Sequence, residues 1–168
     1  GICVGALMAT IPLVRRATRP FVALANAVPR PALAPILLLW FGIGQTAKVA
    51  VSGSVVFFLM MLNTEAGIAT TNADHRVLAK TLGMSRFATF RMIELPSALP
   101  VLIAGLRLSA VYAVLGVVVA EMVAAQKGLG LLLVETTNTF RTDGTFGILF
   151  VLAVMASMLD QIGMYVER

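Results

Sequence analysis

Charged residues inside apolar sequence are where this chain could do chemistry, and they are few. Arg107 stands in the apolar run 97–123, Glu121 near the far end of that run, and Asp160 late in the run 145–164. A charge at membrane depth is costly and usually faces protein or a wet cavity, so each of the three is structural or lines a pathway. Arg107 lies about ten residues into its run, roughly 15 Å along a helix axis. Asp160 is the acid expected to pair with it, because buried charges are generally paired. Glu121 could gate an anionic solute or accept hydrogen bonds from the turn Gly128-Leu129-Gly130. The second role is favoured, since a carboxylate is a poor ligand for an anion. His75 is the single histidine and Cys3 the single cysteine. Neither has a partner at ligand spacing, so no metal site is expected. No Ser/His/Asp set or paired carboxylates stand at plausible spacing, and no catalytic residue is assigned. A phosphate-binding Gly-x4-Gly-Lys-Ser/Thr loop is missing as well, so ATP hydrolysis is not expected of this chain.

These residues must be held by helices that cross lipid. Hydrophobic residues make up 59% of the chain and charged ones 12%, with a mean hydropathy of +0.94, which is far more apolar than a soluble domain. The net charge of +5 does not signal nucleic acid, because the basic residues flank apolar runs instead of alternating with exposed aromatics. The expected class is an all-α, polytopic membrane protein of about five spans. These are the run from Gly1 to Val14, a short one around 36–41, and longer ones at 47–62, 97–123 and 145–164. The first is apolar from its first residue yet shorter than the roughly 20 residues a span needs. It is therefore read as N-terminally truncated, in preference to a signal peptide, which would carry a basic start and a small-residue cleavage site. The second is kinked by Pro31 and Pro35 or extended back through Phe21 to Val28. Ser52-Gly53-Ser54 and Gly1-x3-Gly5 offer small surfaces for close helix packing. Leu131 to Val134 is an apolar patch suited to the interface, and Trp40 suits an interfacial aromatic belt.

Orientation follows from the Lys and Arg of each connection. Arg15, Arg16, Arg19, Arg30, Arg76, Lys80, Arg86, Arg91 and Arg168 fall on one side, and Lys48, Lys127 and Arg141 on the other. The first set is cytoplasmic, which places segment 71–96 and the C-terminus inside. No repeat or low-complexity tract divides residues 1–168, so one transmembrane domain is expected.

Segment 71–96 is a polar, basic interruption that cannot sit in lipid. Thr71-x-x-Asp74 resembles a capping box and would start a helix through Lys80. Gly83 would stop that helix at positive φ, and Ser85 would cap a second one carrying Phe87, Phe90 and Ile93 at helical spacing. Pro96 is expected to close it. Apolar side chains would then face the bundle, with Arg86, Thr89 and Arg91 toward water. On pattern alone this could equally be an interfacial helix pair touching lipid headgroups.

Gly83, nine residues, then Ile93-x-Leu95-Pro96 resembles the cytoplasmic signature of binding-protein-dependent ABC transporter permeases, Glu-Ala-Ala-x3-Gly-x9-Ile-x-Leu-Pro. Here Val77-Leu78-Ala79 occupies the first three positions, so only the last alanine agrees and the acidic residue is replaced. Leu39-Trp40-Phe41-Gly42-Ile43-Gly44 with Lys48, Asn63-Thr64, Gly105-Leu106-Arg107, Glu121, Gly128-Leu129-Gly130 and Asp160 look like the nitrate, sulfonate and taurine branch. The resemblance implies a helical bundle of the type I importer kind, with a further N-terminal span. It implies a coupling loop made of Ala79, Gly83, Met84, Ser85, Arg86, Ile93, Leu95 and Pro96. It implies a cytoplasmic ABC ATPase subunit that carries the ATP and Mg, an extracytoplasmic solute-binding protein, and a second permease copy, as a homodimer. The chain itself would bind no cofactor and would sit among lipids of the cell inner membrane, moving a small anionic solute. Two other classes stay open: an ion-coupled secondary carrier, which would need inverted repeats and midplane acids, and a scaffold whose basic face binds anionic lipid. Gly83→Asp should uncouple a permease and leave a scaffold indifferent.

Overall fold

Proline and glycine set most of the element boundaries. A computed structural model describes residues 1–167, without the side chains of residues 30, 31, 166 and 167. The Arg30 side chain, the kink expected from Pro31 and the terminal Arg168 therefore lie outside the described residues. All elements among the described residues are helical: α1 (Ile2–Thr10), α2 (Pro12–Ala27), a 3₁₀ turn (Arg30–Leu33), α3 (Ala34–Phe41), α4 (Gln45–Ala69), α5 (Ala73–Thr81), α6 (Arg86–Thr89), a π-helical turn (Phe90–Glu94), α7 (Leu95–Ala124), α8 (Leu129–Asn138) and α9 (Thr142–Glu167).

Three stretches are long and apolar enough to cross a bilayer: Gln45–Ala69, Arg86–Ala124 and Thr142–Tyr165. The other two runs expected to span are shorter helices. The first breaks at Ile11, which is extended at φ −115° and ψ 103° because a residue before proline avoids the α region. A separate helix, α2, follows where basic connecting sequence was expected. The other, α3, has eight residues and stops at Gly42, whose φ is +74°. The long helices exceed their expected limits, α4 by about two turns at its C-terminal end, since a helix continues past the hydrocarbon until its end is capped.

Pro96 does not close a helix, contrary to expectation. Helix runs without a gap from Arg86 to Ala124, and Pro96 sits in the first turn of α7. The wider π turn just before it accommodates the proline: the Leu95 amide reaches back to the Phe90 carbonyl, and the Ser97 hydroxyl donates to the Ile93 carbonyl at 2.7 Å. Proline breaks a helix through its missing amide and its clash with the preceding turn, and a π bulge relieves both.

The chain forms two compact units, divided within α4 and α7 and at the end of α2. One comprises residues 1–26 and 57–106. In it α1 lies on the C-terminal half of α4 through glycines: a Cβ on Gly1 would overlap the Phe57 carbonyl oxygen, and one on Gly5 the Met61 carbonyl oxygen. Gly67 faces Ala98 and Val101, and Gly105 faces Asn63. Small residues let backbones approach where lipid offers no hydrophobic driving force between helices. Residues 27–56 and 107–166 form the other unit. There Gly116 packs on Ser52, the Ser52 hydroxyl donates to the Ala113 carbonyl at 3.0 Å, and Ala34, Val51 and Ala120 make a buried cluster with Leu37 and Val119. Of Ser52-Gly53-Ser54, Ser52 packs in this way, whereas Gly53 meets nothing within 4 Å. Large apolar side chains point outward instead, such as Phe146, Phe150, Met158 and Ile162 on α9. Outward apolar side chains suit lipid, while each helix satisfies its own backbone.

Candidate functional site

Segment 71–96 folds as a helix, a glycine corner and a second helix. The first cap is Asn72 and not Thr71: the Asn72 side chain accepts from the Asp74 amide at 2.9 Å, while Thr71 is buried with its hydroxyl unpartnered. Asn equals Asp and Ser as an N-cap, and in the helix it starts Ala79 is fully buried. Gly83 has φ +68°. Its amide donates to the Lys80 carbonyl at 3.0 Å, and the Met84 amide to the Ala79 carbonyl at 3.0 Å. This closure satisfies carbonyls of the last turn and is open to glycine at no steric cost. Ser85 caps α6 by accepting from the Ala88 amide at 3.2 Å.

Arg76 clamps the corner. Its Nε lies 3.0 Å from Glu94 Oε1, and its guanidinium also donates to the Ile68 carbonyl at 2.8 Å. One side chain thereby joins the end of α4, α5 and the π turn. The clamp was not foreseen from the sequence, although an arginine and a glutamate of opposite charge on adjoining helices were visible there. Apolar side chains do not all face inward as expected: Phe87 is 72% exposed, with Val77, Leu78, Leu82 and Met92 each more than half exposed. Arg86 and Arg91 are exposed, Met84, Thr89, Ile93 and Leu95 are half-buried, and Pro96 and His75 are exposed. Outward apolar groups on a polar, basic corner form an exposed patch of the kind that meets a protein or a lipid surface.

A polar cluster occupies the second unit. Lys48 Nζ lies 2.7 Å from Glu121 Oε1 and donates to the Lys127 carbonyl at 3.2 Å. Glu121 Oε2 accepts from the Gly130 amide at 2.9 Å. The carboxylate is buried and has both oxygens engaged, which joins the first turn of α4, the last turn of α7 and the start of α8. Gly128, at φ +138°, is glycine for two reasons: the backbone lies outside the usual L region, and a Cβ would overlap the Glu121 carboxylate. An apolar cavity of about 450 Å³ lies along Ala113, Val117, Leu129 and Leu152, with Glu121 as its charged wall. A smaller cavity of about 110 Å³ has Lys48 in its wall. In sequence Lys48 is an outer charge that also belongs to the family resemblance, with no partner named for it; its position inside an apolar helix is the signal that it needs an acid.

Arg107 and Asp160 are brought together. Arg107 Nε lies 2.8 Å from Asp160 Oδ1, and Gly163 leaves room for the arginine stem, which a Cβ there would overlap. Both side chains stay partly exposed, at 31% and 40%. In the first unit, Arg15 of α2 pairs with Glu65 of α4 at 2.9 Å.

The family model described as "Binding-protein-dependent transport system inner membrane component" matches residues 1–168. The chain is 35% identical over 155 residues to the formylaminopyrimidine transport permease protein of Halalkalibacterium halodurans, covering 92% of this chain and 62% of that one. It is 32% identical over 160 residues to the taurine transport system permease protein of Escherichia coli, covering 95% and 58%. It is 30% identical over 149 residues to a putative aliphatic sulfonates transport permease protein of Bacillus subtilis, covering 89% and 54%. The chain thus spans little more than half the length of these relatives.

Proposed function

Since the chain belongs to the family of binding-protein-dependent transport system inner membrane components, we propose that it is the permease subunit of an ATP-driven importer, with segment 71–96 as the element on which a cytoplasmic ABC ATPase docks. The observation that carries this reading is the outward row Val77, Leu78, Leu82 and Phe87 on a corner clamped by Arg76. A helix pair held in this way can move as one body and pass closure of a docked subunit to the helix that continues from it. Here that helix is α7, which follows α6 and the π turn without a break. ATP and Mg reside on the partner, and this chain contributes no catalysis. Delivery is by a solute-binding protein on the opposite face, and the permease acts as a homodimer.

The solute is small, of the sulfonate and taurine class, supported by the relatives named for taurine and aliphatic sulfonates. Others are named for formylaminopyrimidine and riboflavin, so the test uses all four. The full-length protein is reconstituted in proteoliposomes with its ATPase and binding protein, and uptake of each solute is followed with ATP or with an imposed proton or sodium gradient. ATP-dependent uptake of taurine or a sulfonate is expected. Uptake driven by the gradient without ATPase would replace this reading with an ion-coupled carrier.

A further inference from the structure

Helix α2 is the element that the proposed function leaves without a role. It has sixteen residues, none of them buried, and its side chains fall into three sectors at about 100° per residue. Val14, Thr18, Val22 and Ala25 share one sector and are half-buried. Leu13, Ala17, Phe21 and Leu24 share the next, and Leu13, Phe21 and Leu24 are 76%, 72% and 69% exposed. Arg15, Arg16 and Arg19 occupy the third and are exposed. Arg15 turns to Glu65, while Arg16 and Arg19 lie on the side of the apolar row away from the half-buried sector.

We propose that α2 lies in the plane of the membrane and binds anionic phospholipid, with Leu13, Phe21 and Leu24 among the acyl chains and Arg16 and Arg19 on the headgroup phosphates. Two observations select lipid as the occupant. The chain belongs to an inner-membrane family, and α2 begins one residue after the apolar α1, across the bend at Ile11, where a chain leaving hydrocarbon meets the headgroups. Charge complementarity selects the headgroup, because an apolar row beside arginines combines the two attractions that hold an interfacial helix to an anionic leaflet. A guanidinium also matches phosphate oxygens in a bidentate fork.

The chain's single tryptophan, Trp40, makes a clean test possible. The double variant Trp40→Phe, Phe21→Trp puts the only indole on the exposed row of α2. The full-length protein carrying it is placed in nanodiscs that contain a fixed fraction of lipid with brominated acyl chains, under either phosphatidylglycerol or phosphatidylcholine headgroups. Brominated phosphatidylglycerol should quench the indole more strongly, with a relative affinity of roughly thirtyfold from two arginines. Adding Arg16→Gln and Arg19→Gln should bring the two lipids level, and Arg16→Lys with Arg19→Lys should keep most of the preference. Equal quenching by both lipids in the parent would overturn headgroup binding. No quenching by either would overturn the in-plane placement and show that protein covers the row.

Discussion

Glu121 holds Lys48 2.7 Å from one carboxylate oxygen and the Gly130 amide 2.9 Å from the other. The two ends of long helices and the start of α8 are therefore fixed by one side chain. Removing one partner of a largely buried pair leaves an uncompensated charge, so Lys48→Met or Glu121→Met is expected to cost about 2 kcal/mol, at the low end because the lysine keeps some solvent contact. The double variant should lose less than the sum of the singles. Thermal unfolding of the purified protein in detergent measures this, and equal, additive losses would mean that the pair carries no coupling.

Gly128→Ala and Gly130→Ala act on the same site by a different route. A Cβ at Gly128 would overlap the Glu121 carboxylate, and one at Gly130 the Val118 carbonyl oxygen. Each should destabilise by more than about 2 kcal/mol, within the range of overpacked and strained positions. Gly53→Ala is the control: nothing lies within 4 Å of its Cβ, and alanine is the better helix former by roughly 1 kcal/mol. Its melting temperature should equal or exceed that of the parent.

For Arg107 and Asp160 the expected coupling is smaller, about 1 kcal/mol, because both side chains remain partly exposed. A double-mutant cycle with Arg107→Ala and Asp160→Ala reads it directly. Full additivity would assign the two residues separate roles.

Much of the corner was readable from single residues. A glycine one turn beyond an amphipathic helix and a serine before the next are local signals, and Gly83 at φ +68° and the Ser85 cap are local outcomes. The pairing of Arg107 with Asp160 and the bond from the Gly130 amide to Glu121 followed from the cost of leaving a charge unpaired in an apolar setting. What escaped was tertiary or contextual. Helix α2 covers residues that the sequence reading divides between a basic connection and, from Phe21, one alternative start of the second run, although the spacing of its arginines against Leu13, Phe21 and Leu24 is helical. Pro96 reads as a stop because the rule for proline assumes an α turn before it, and the π turn at Phe90–Glu94 removes that assumption. Phe87 was assigned inward by periodicity, which reveals a face but not what covers it.

At Gly83 the strain comes from backbone conformation alone, since a Cβ there meets nothing within 4 Å. Asn tolerates positive φ better than most residues, so Gly83→Asn should retain coupling to an ATPase, while Gly83→Asp, which adds a charge to the exposed corner, should uncouple it. Gly83→Val should unwind the corner at a cost of about 2 kcal/mol and abolish ATP-dependent uptake. Uptake assays on the three variants in parallel check this order.

The docking role of the corner is tested most directly by co-purifying the full-length protein with its co-expressed ATP-binding subunit in mild detergent, beside the variant Leu78→Asp, Phe87→Asp. Both positions are exposed, so the variant should fold with the melting temperature of the parent. The parent should retain the ATPase and the variant should lose it. Equal retention by a folded variant would contradict docking at this corner.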